Sequence, residues 1–217
     1  RNELPKWLPW FSGGMIILVA IQGGLGALTV LHLLPSGAVT AHLVLALILV
    51  ASMSGLTQIL LSSACAEPPF WWRPMGTAAL LSVIFQSLIG ARTAATWASH
   101  RCIESGHACE LLHLHRSSAI PVSFLVLMFV LIALFSGGWS RAQWPFLLTV
   151  FSLVLLQISI GVLSLHLELS QHLLTVSHQL VAALLIAFLA ALTCKRPEIS
   201  FASSPLNNET VLETCNG

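Results

Sequence analysis

Residues 156–179 read LQISIGVLSLHLELSQHLLTVSHQ. An apolar helix end carries Gln157 and Gly161, a short polar connection follows, and a new apolar run begins with His178 close to its start. The same order of residues occurs twice more. Gln22 and Gly26 precede His42, and Gln86 and Gly90 precede His115, so Gln-x-x-x-Gly followed by a histidine recurs in three successive hairpins. Gly26 to His42 spans 16 positions and Gly161 to His178 spans 17, while the middle copy has a longer loop. Such self-similarity marks a repeated supersecondary unit. The unit here is a helical hairpin that carries one histidine.

Composition shows what surrounds these hairpins. Of 217 residues 56% are hydrophobic and 8% charged, against about 25% charged in a soluble domain. Asp and Tyr are absent and the formal net charge is +1, so neither a soluble globular fold nor a basic nucleic-acid binder fits. Nine histidines outnumber eight acidic residues. Ionisable groups are costly in hydrocarbon and are usually kept there for function.

A helix needs about 20 mostly apolar residues to cross roughly 30 Å of hydrocarbon. Six runs qualify, at about 9–31, 41–62, 77–97, 115–137, 145–166 and 174–193. Short connections join them as antiparallel neighbours. The expected fold is an all-α integral membrane protein of six transmembrane helices in three repeated hairpins. Residues 1–76 hold the first hairpin, 77–194 a four-helix bundle, and 195–217 a polar tail that should be disordered. Arg1, Lys6, Arg73, Arg141, Lys195 and Arg196 fall on one side, which places both termini in the cytoplasm. Trp97, Trp139 and Trp144 fall near the predicted interfaces.

The simple reading of Gln-x-x-x-Gly is helix packing, because residues four apart share a face and glycine lets helices approach. A histidine recurring at one place in three hairpins points instead to ligation. Two antiparallel hairpins form a bundle whose core can take a cofactor, and a haem iron between two neutral imidazoles suits one histidine per hairpin. Zinc would want about four compact ligands. His115 and His178 make such a pair, which leaves His42 without a partner and asks for a fourth hairpin ahead of residue 1. His113 points about 200° away from His115 on a helix and cannot share its iron. His32, His100, His107, His166 and His172 lie in or beside outer loops, where solvated roles are the default. Arg92 and Arg116 suit porphyrin carboxylates, and Arg92 equally suits the interface. Cys102 and Cys109 lie in the outward loop of the middle hairpin, where they read either as a disulfide across the mouth of the site or as two free thiols.

With these stretches in view, the sequence resembles the haem A synthase (CtaA/Cox15) family in its cyanobacterial-type form. The resemblance rests on ELPKWLPW, QGGLGALTVLHLLPSGAVTAHL, QSLIGARTAATWASHRCIESGHACELLHLHR and LQISIGVLSLHLELSQHLLTVSHQ, spread over residues 3–190. It implies an eight-helix pair of four-helix bundles, of which this chain lacks the first hairpin. It also implies oxidation of a methyl group of haem O to a formyl group, giving haem A for terminal oxidases. By the same resemblance His115 and His178 hold haem b, His42 binds the substrate haem iron, and Cys102 and Cys109 form a disulfide. The catalytic acid or base has no counterpart here, and the fragment alone is expected to turn over poorly. Implied partners are the lipid bilayer, haem O, haem O synthase and a second copy of the chain. The electron acceptor and the choice between plasma and thylakoid membrane stay open. The competing expectation is a cytochrome b-type electron carrier with no haem-modifying activity.

Overall fold

The computed structural model describes residues 5–32, 35–61, 67–95, 110–167 and 171–197, and all regular structure among them is helical. In chain order the helices are α1 (Leu8–Leu31), α2 (Ser36–Leu61), α3 (Trp72–Ala95), α4 (Glu110–Phe135), α5 (Gly138–Ala142), α6 (Trp144–His166) and α7 (His172–Cys194). All but α5 are long and apolar enough to cross a membrane. The chain is an all-α, multi-pass membrane protein. In lipid every peptide group must find its partner within its own segment, and a helix meets that demand without help from a neighbour.

Three of these helices begin five residues ahead of the apolar runs, at Ser36, Trp72 and Glu110. Hydropathy registers apolar side chains only, whereas a helix, once nucleated, gains a backbone bond for each further residue. The connection between the fourth and fifth spans is a second departure from expectation. It contains the one-turn helix α5, entered through Gly137 and Gly138 at φ 71° and 53°. That left-handed backbone costs glycine nothing and lets the chain reverse between two long helices.

Helices α3, α4, α6 and α7 close a square. Both α3 and α6 pack against α4 and against α7, so α4 and α7 occupy opposite corners. Helix α2 lies outside, in contact with α3 and α7, while α1 packs on α2 and has no fully buried residue. The shared core is a column of Val83, Val126, Phe129, Val130, Leu147, Val150, Ile186 and Leu189.

One end of the square is tightly built. Trp72 is fully buried, its ring centroid 5.2 Å from that of Phe129 and 4.8 Å from that of Trp139. Its indole N–H donates to the Leu192 carbonyl at 2.8 Å. Trp139 thus belongs to the bundle rather than to a free interfacial belt, while Trp144 is exposed as expected and Trp97 lies outside the described residues. Close helix approach at this end uses two other glycines. A Cβ on Gly76 would stand 2.7 Å from Thr193 Oγ1, and one on Gly55 would stand 3.0 Å from Cys194 Sγ. Nearby, Arg73 pairs with Glu67 at 3.0 Å, and the Lys195 ammonium sits 4.3 Å over the Phe146 ring.

Truncating Trp72 to Ala empties the centre of this cluster and should cost about 3–5 kcal/mol, the usual range for a buried aromatic. Trp72→Phe keeps most of the packing and loses one hydrogen bond, worth about 1 kcal/mol. Unfolding of the detergent-purified variants, followed by circular dichroism, should rank them wild type, Phe, Ala.

Candidate functional site

The opposite end of the bundle carries the histidines. Seven of the nine are described, and they fall into two groups: His32, His113, His166 and His172 are exposed, whereas His42, His115 and His178 are partly buried. His113 and His115 differ as their helical spacing requires. The three recurring histidines are therefore the ones turned into the protein, and each meets the Gln and Gly of the preceding helix.

Contact with glycine is the common element. A Cβ built on Gly26 would lie 3.2 Å from His42 Cε1, one on Gly90 would lie 2.8 Å from His115 Cε1, and one on Gly161 would lie 3.0 Å from His178 Cε1. Each imidazole rests on a bare Cα; an alanine at Gly90 would force the His115 ring to shift, while one at Gly26 or Gly161 would crowd its ring. The close helix approach expected of these glycines is made here by a side-chain ring, whereas Gly55 and Gly76 at the other end meet the smaller side chains of Cys194 and Thr193.

The glutamine, one turn earlier on the same face, bonds the same ring. Gln22 Nε2 donates to His42 Nε2 at 3.3 Å and to the His42 carbonyl at 3.0 Å, while His42 Nδ1–H donates to the Gln22 carbonyl at 3.2 Å. Gln86 Nε2 donates to His115 Nδ1 at 3.1 Å and to the His115 carbonyl at 2.7 Å. Gln157 Nε2 donates to His178 Nε2 at 3.1 Å. Ser118 adds a member that the sequence reading missed: its hydroxyl lies 2.7 Å from Gln86 Oε1 and 2.6 Å from the Leu114 carbonyl. It lies three residues after His115, hence on the same helix face, and that spacing was its available signal.

His115 and His178 come from opposite corners of the square and meet inside it, ring centroids 6.5 Å apart and planes at 75°. Each keeps one nitrogen unengaged. His178 Nδ1 is buried with no partner, and His115 Nε2 has none among the described residues. Imidazole–metal bonds run about 2 Å, so two rings on either side of one metal stand roughly 6 Å apart, centroid to centroid. The separation of the pair is of the size that one metal between two imidazoles requires. Among the described residues no three His, Cys, Asp or Glu side chains cluster to hold a metal ion. His42 stays in its own hairpin against Gln22 and Gly26. An open groove of about 440 Å³ beside α2 is lined by Leu25, Ala41, Val44, Leu88 and Arg92, with His42 not among its lining residues. The expected Cys102–Cys109 pair lies outside the described residues, as do His100 and His107.

The COX15-CtaA family profile, described as cytochrome oxidase assembly protein, matches residues 1–190. The chain belongs to this family. Neither a curated protein nor a solved structure matches it. Membership agrees with the resemblance read from the three hairpins, and it places the histidine end of the bundle in a family that serves cytochrome oxidase assembly.

Because the ring sits on the glycine, Gly90→Ala and Gly161→Ala should displace their histidines and lower the unfolding temperature. Gly23→Ala and Gly24→Ala on α1 meet nothing within 4 Å and provide the control. In those two the helix propensity of alanine, worth up to about 1 kcal/mol, should leave stability equal or higher. Thermal melts of the four variants in detergent compare them directly.

Proposed function

We propose that the protein is a haem A synthase, which oxidises a methyl group of haem O to the formyl group of haem A with a haem b held by His115 and His178. The observation that carries this reading is the facing pair of imidazoles, 6.5 Å apart, in a chain of the COX15-CtaA family. Bound there, haem b would supply one-electron transfer, by which electrons released in the oxidation of the methyl group would pass on to a separate acceptor. The chain's own residues do the rest of the work at this site. His115 and His178, brought together from opposite corners of the square of α3, α4, α6 and α7, would hold the iron, and their strength as ligands would tune it. His42 is the proposed contact to the substrate haem iron. The Arg92 guanidinium, on the rim of the groove beside α2, suits a porphyrin carboxylate. Cys102 and Cys109 are proposed as a disulfide on the outward side. The concentration of Lys6, Arg73, Arg141, Lys195 and Arg196 at the Trp72 end supports cytoplasmic termini.

The purified wild type should show the Soret and reduced visible bands of a haem with two imidazole ligands. His115→Ala and His178→Ala should each lose that low-spin spectrum. Haem extracted from cells that express the protein and supply haem O should contain haem A. A normal spectrum with unchanged haem O in the extract would leave an electron carrier in place of the enzyme, and a colourless wild type would remove both.

A further inference from the structure

A neutral imidazole that gives one nitrogen to a metal carries its proton on the other, and the group facing that second nitrogen orients the ring and sets its strength as a ligand. The first hairpin shows the proton-bearing half of this arrangement with a main-chain partner, His42 Nδ1–H donating to the Gln22 carbonyl, while its Nε2 takes the Gln22 amide. For His115 and His178 the facing group is a glutamine side chain, Gln86 at 3.1 Å and Gln157 at 3.1 Å. The other nitrogen of each ring is the unengaged one.

We propose that Gln86 and Gln157 are positioning residues of the two-imidazole site, fixing the rotation of each ring and the proton on its second nitrogen. The proposal rests on the haem reading above and adds the groups that aim the ligands. A side-chain amide can serve a ring nitrogen in either protonation state, because a half-turn exchanges its NH₂ donor for its carbonyl acceptor. Gln157 Oε1 is buried without a partner, so that half-turn would give it the N–H it lacks. For Gln86 the turn exchanges its bond to the His115 carbonyl, 2.7 Å, for one to the Ser118 hydroxyl, which keeps a partner of its own in the Leu114 carbonyl at 2.6 Å. The glycine under each ring closes the remaining direction: Cε1 lies against Gly90 or Gly161, so rotation about the ring axis is opposed on one side by backbone and on the other by the amide. The 75° between the planes is therefore set by two separate clamps, one on α3 and one on α6.

The test uses the full chain in detergent with Gln86→Leu, Gln157→Leu and the isosteric Gln86→Glu and Gln157→Glu. Three quantities are read: affinity for added haem b, reduction potential, and the low-spin ferric paramagnetic resonance signal, which responds to the angle between imidazole planes. Both Leu variants should bind haem about ten-fold or more weakly, the usual effect of losing a group that orients a metal ligand, and should shift the resonance signal. Both Glu variants should lower the potential, because a carboxylate acceptor makes the imidazole a stronger donor and favours ferric iron. If a Leu variant does not fold, its Glu counterpart, with the same shape, carries the test for that residue. Wild-type affinity, potential and resonance signal in the glutamine variants, with haem still lost in His115→Ala, would overturn this inference and leave the haem reading intact. A wild type that binds no haem would remove both.

Discussion

An imidazole lying on a bare glycine Cα, with a glutamine amide bonded to its ring, is the contact on which the functional end of this protein depends. A histidine in lipid is costly unless its nitrogens are engaged, and a buried glutamine is no cheaper. Each answers part of the other's need across a helix pair, and the glycine one turn away makes the room. The pairing also fixes how the two helices are rotated. Gln and Gly must face the histidine of the next helix, so the remaining faces of both turn toward lipid or the aliphatic core.

Two of these units share one square of helices, and the square brings them together. Because α3 and α6 each touch both α4 and α7, the glutamine-bearing helices stand on one diagonal and the histidine-bearing helices on the other. The two rings meet across the second diagonal. At the far end Trp72, Phe129 and Trp139 interlock, and the Leu192 carbonyl receives the indole N–H. One end is held by shape and dispersion, the other by a few directed polar bonds. Helix α1 lies outside the square, has no fully buried residue, and carries the Gln22 and Gly26 of the first hairpin.

Much of this was legible in the sequence. Six spans, their alternation, and the choice of His42, His115 and His178 among nine histidines all follow from hydropathy and from a repeated spacing, because periodic features survive in one dimension. The glycines were legible as small but not as seats for a ring, since the atom that fills the space comes from another helix 16 or more residues away. Ser118 was missed for a related reason: a hydroxyl on an apolar helix has many possible roles, and only the position of Gln86 selects one. Trp72 lay ahead of the run that hydropathy assigned to its helix, so its place at the centre of the aromatic cluster had no signal.

The sequence by itself determined an all-helical membrane chain, three copies of one hairpin, and a glutamine, a glycine and a histidine in each copy. These depend on local periodicity and on the need of every backbone group in lipid for an intrahelical partner. Tertiary structure alone decided which two histidines face each other, at what distance and angle, and which nitrogen of each is left open. Those quantities are set by the rotation and diagonal placement of whole helices, and helix rotation follows from side chains that interlock across the bundle rather than from residues adjacent in the chain.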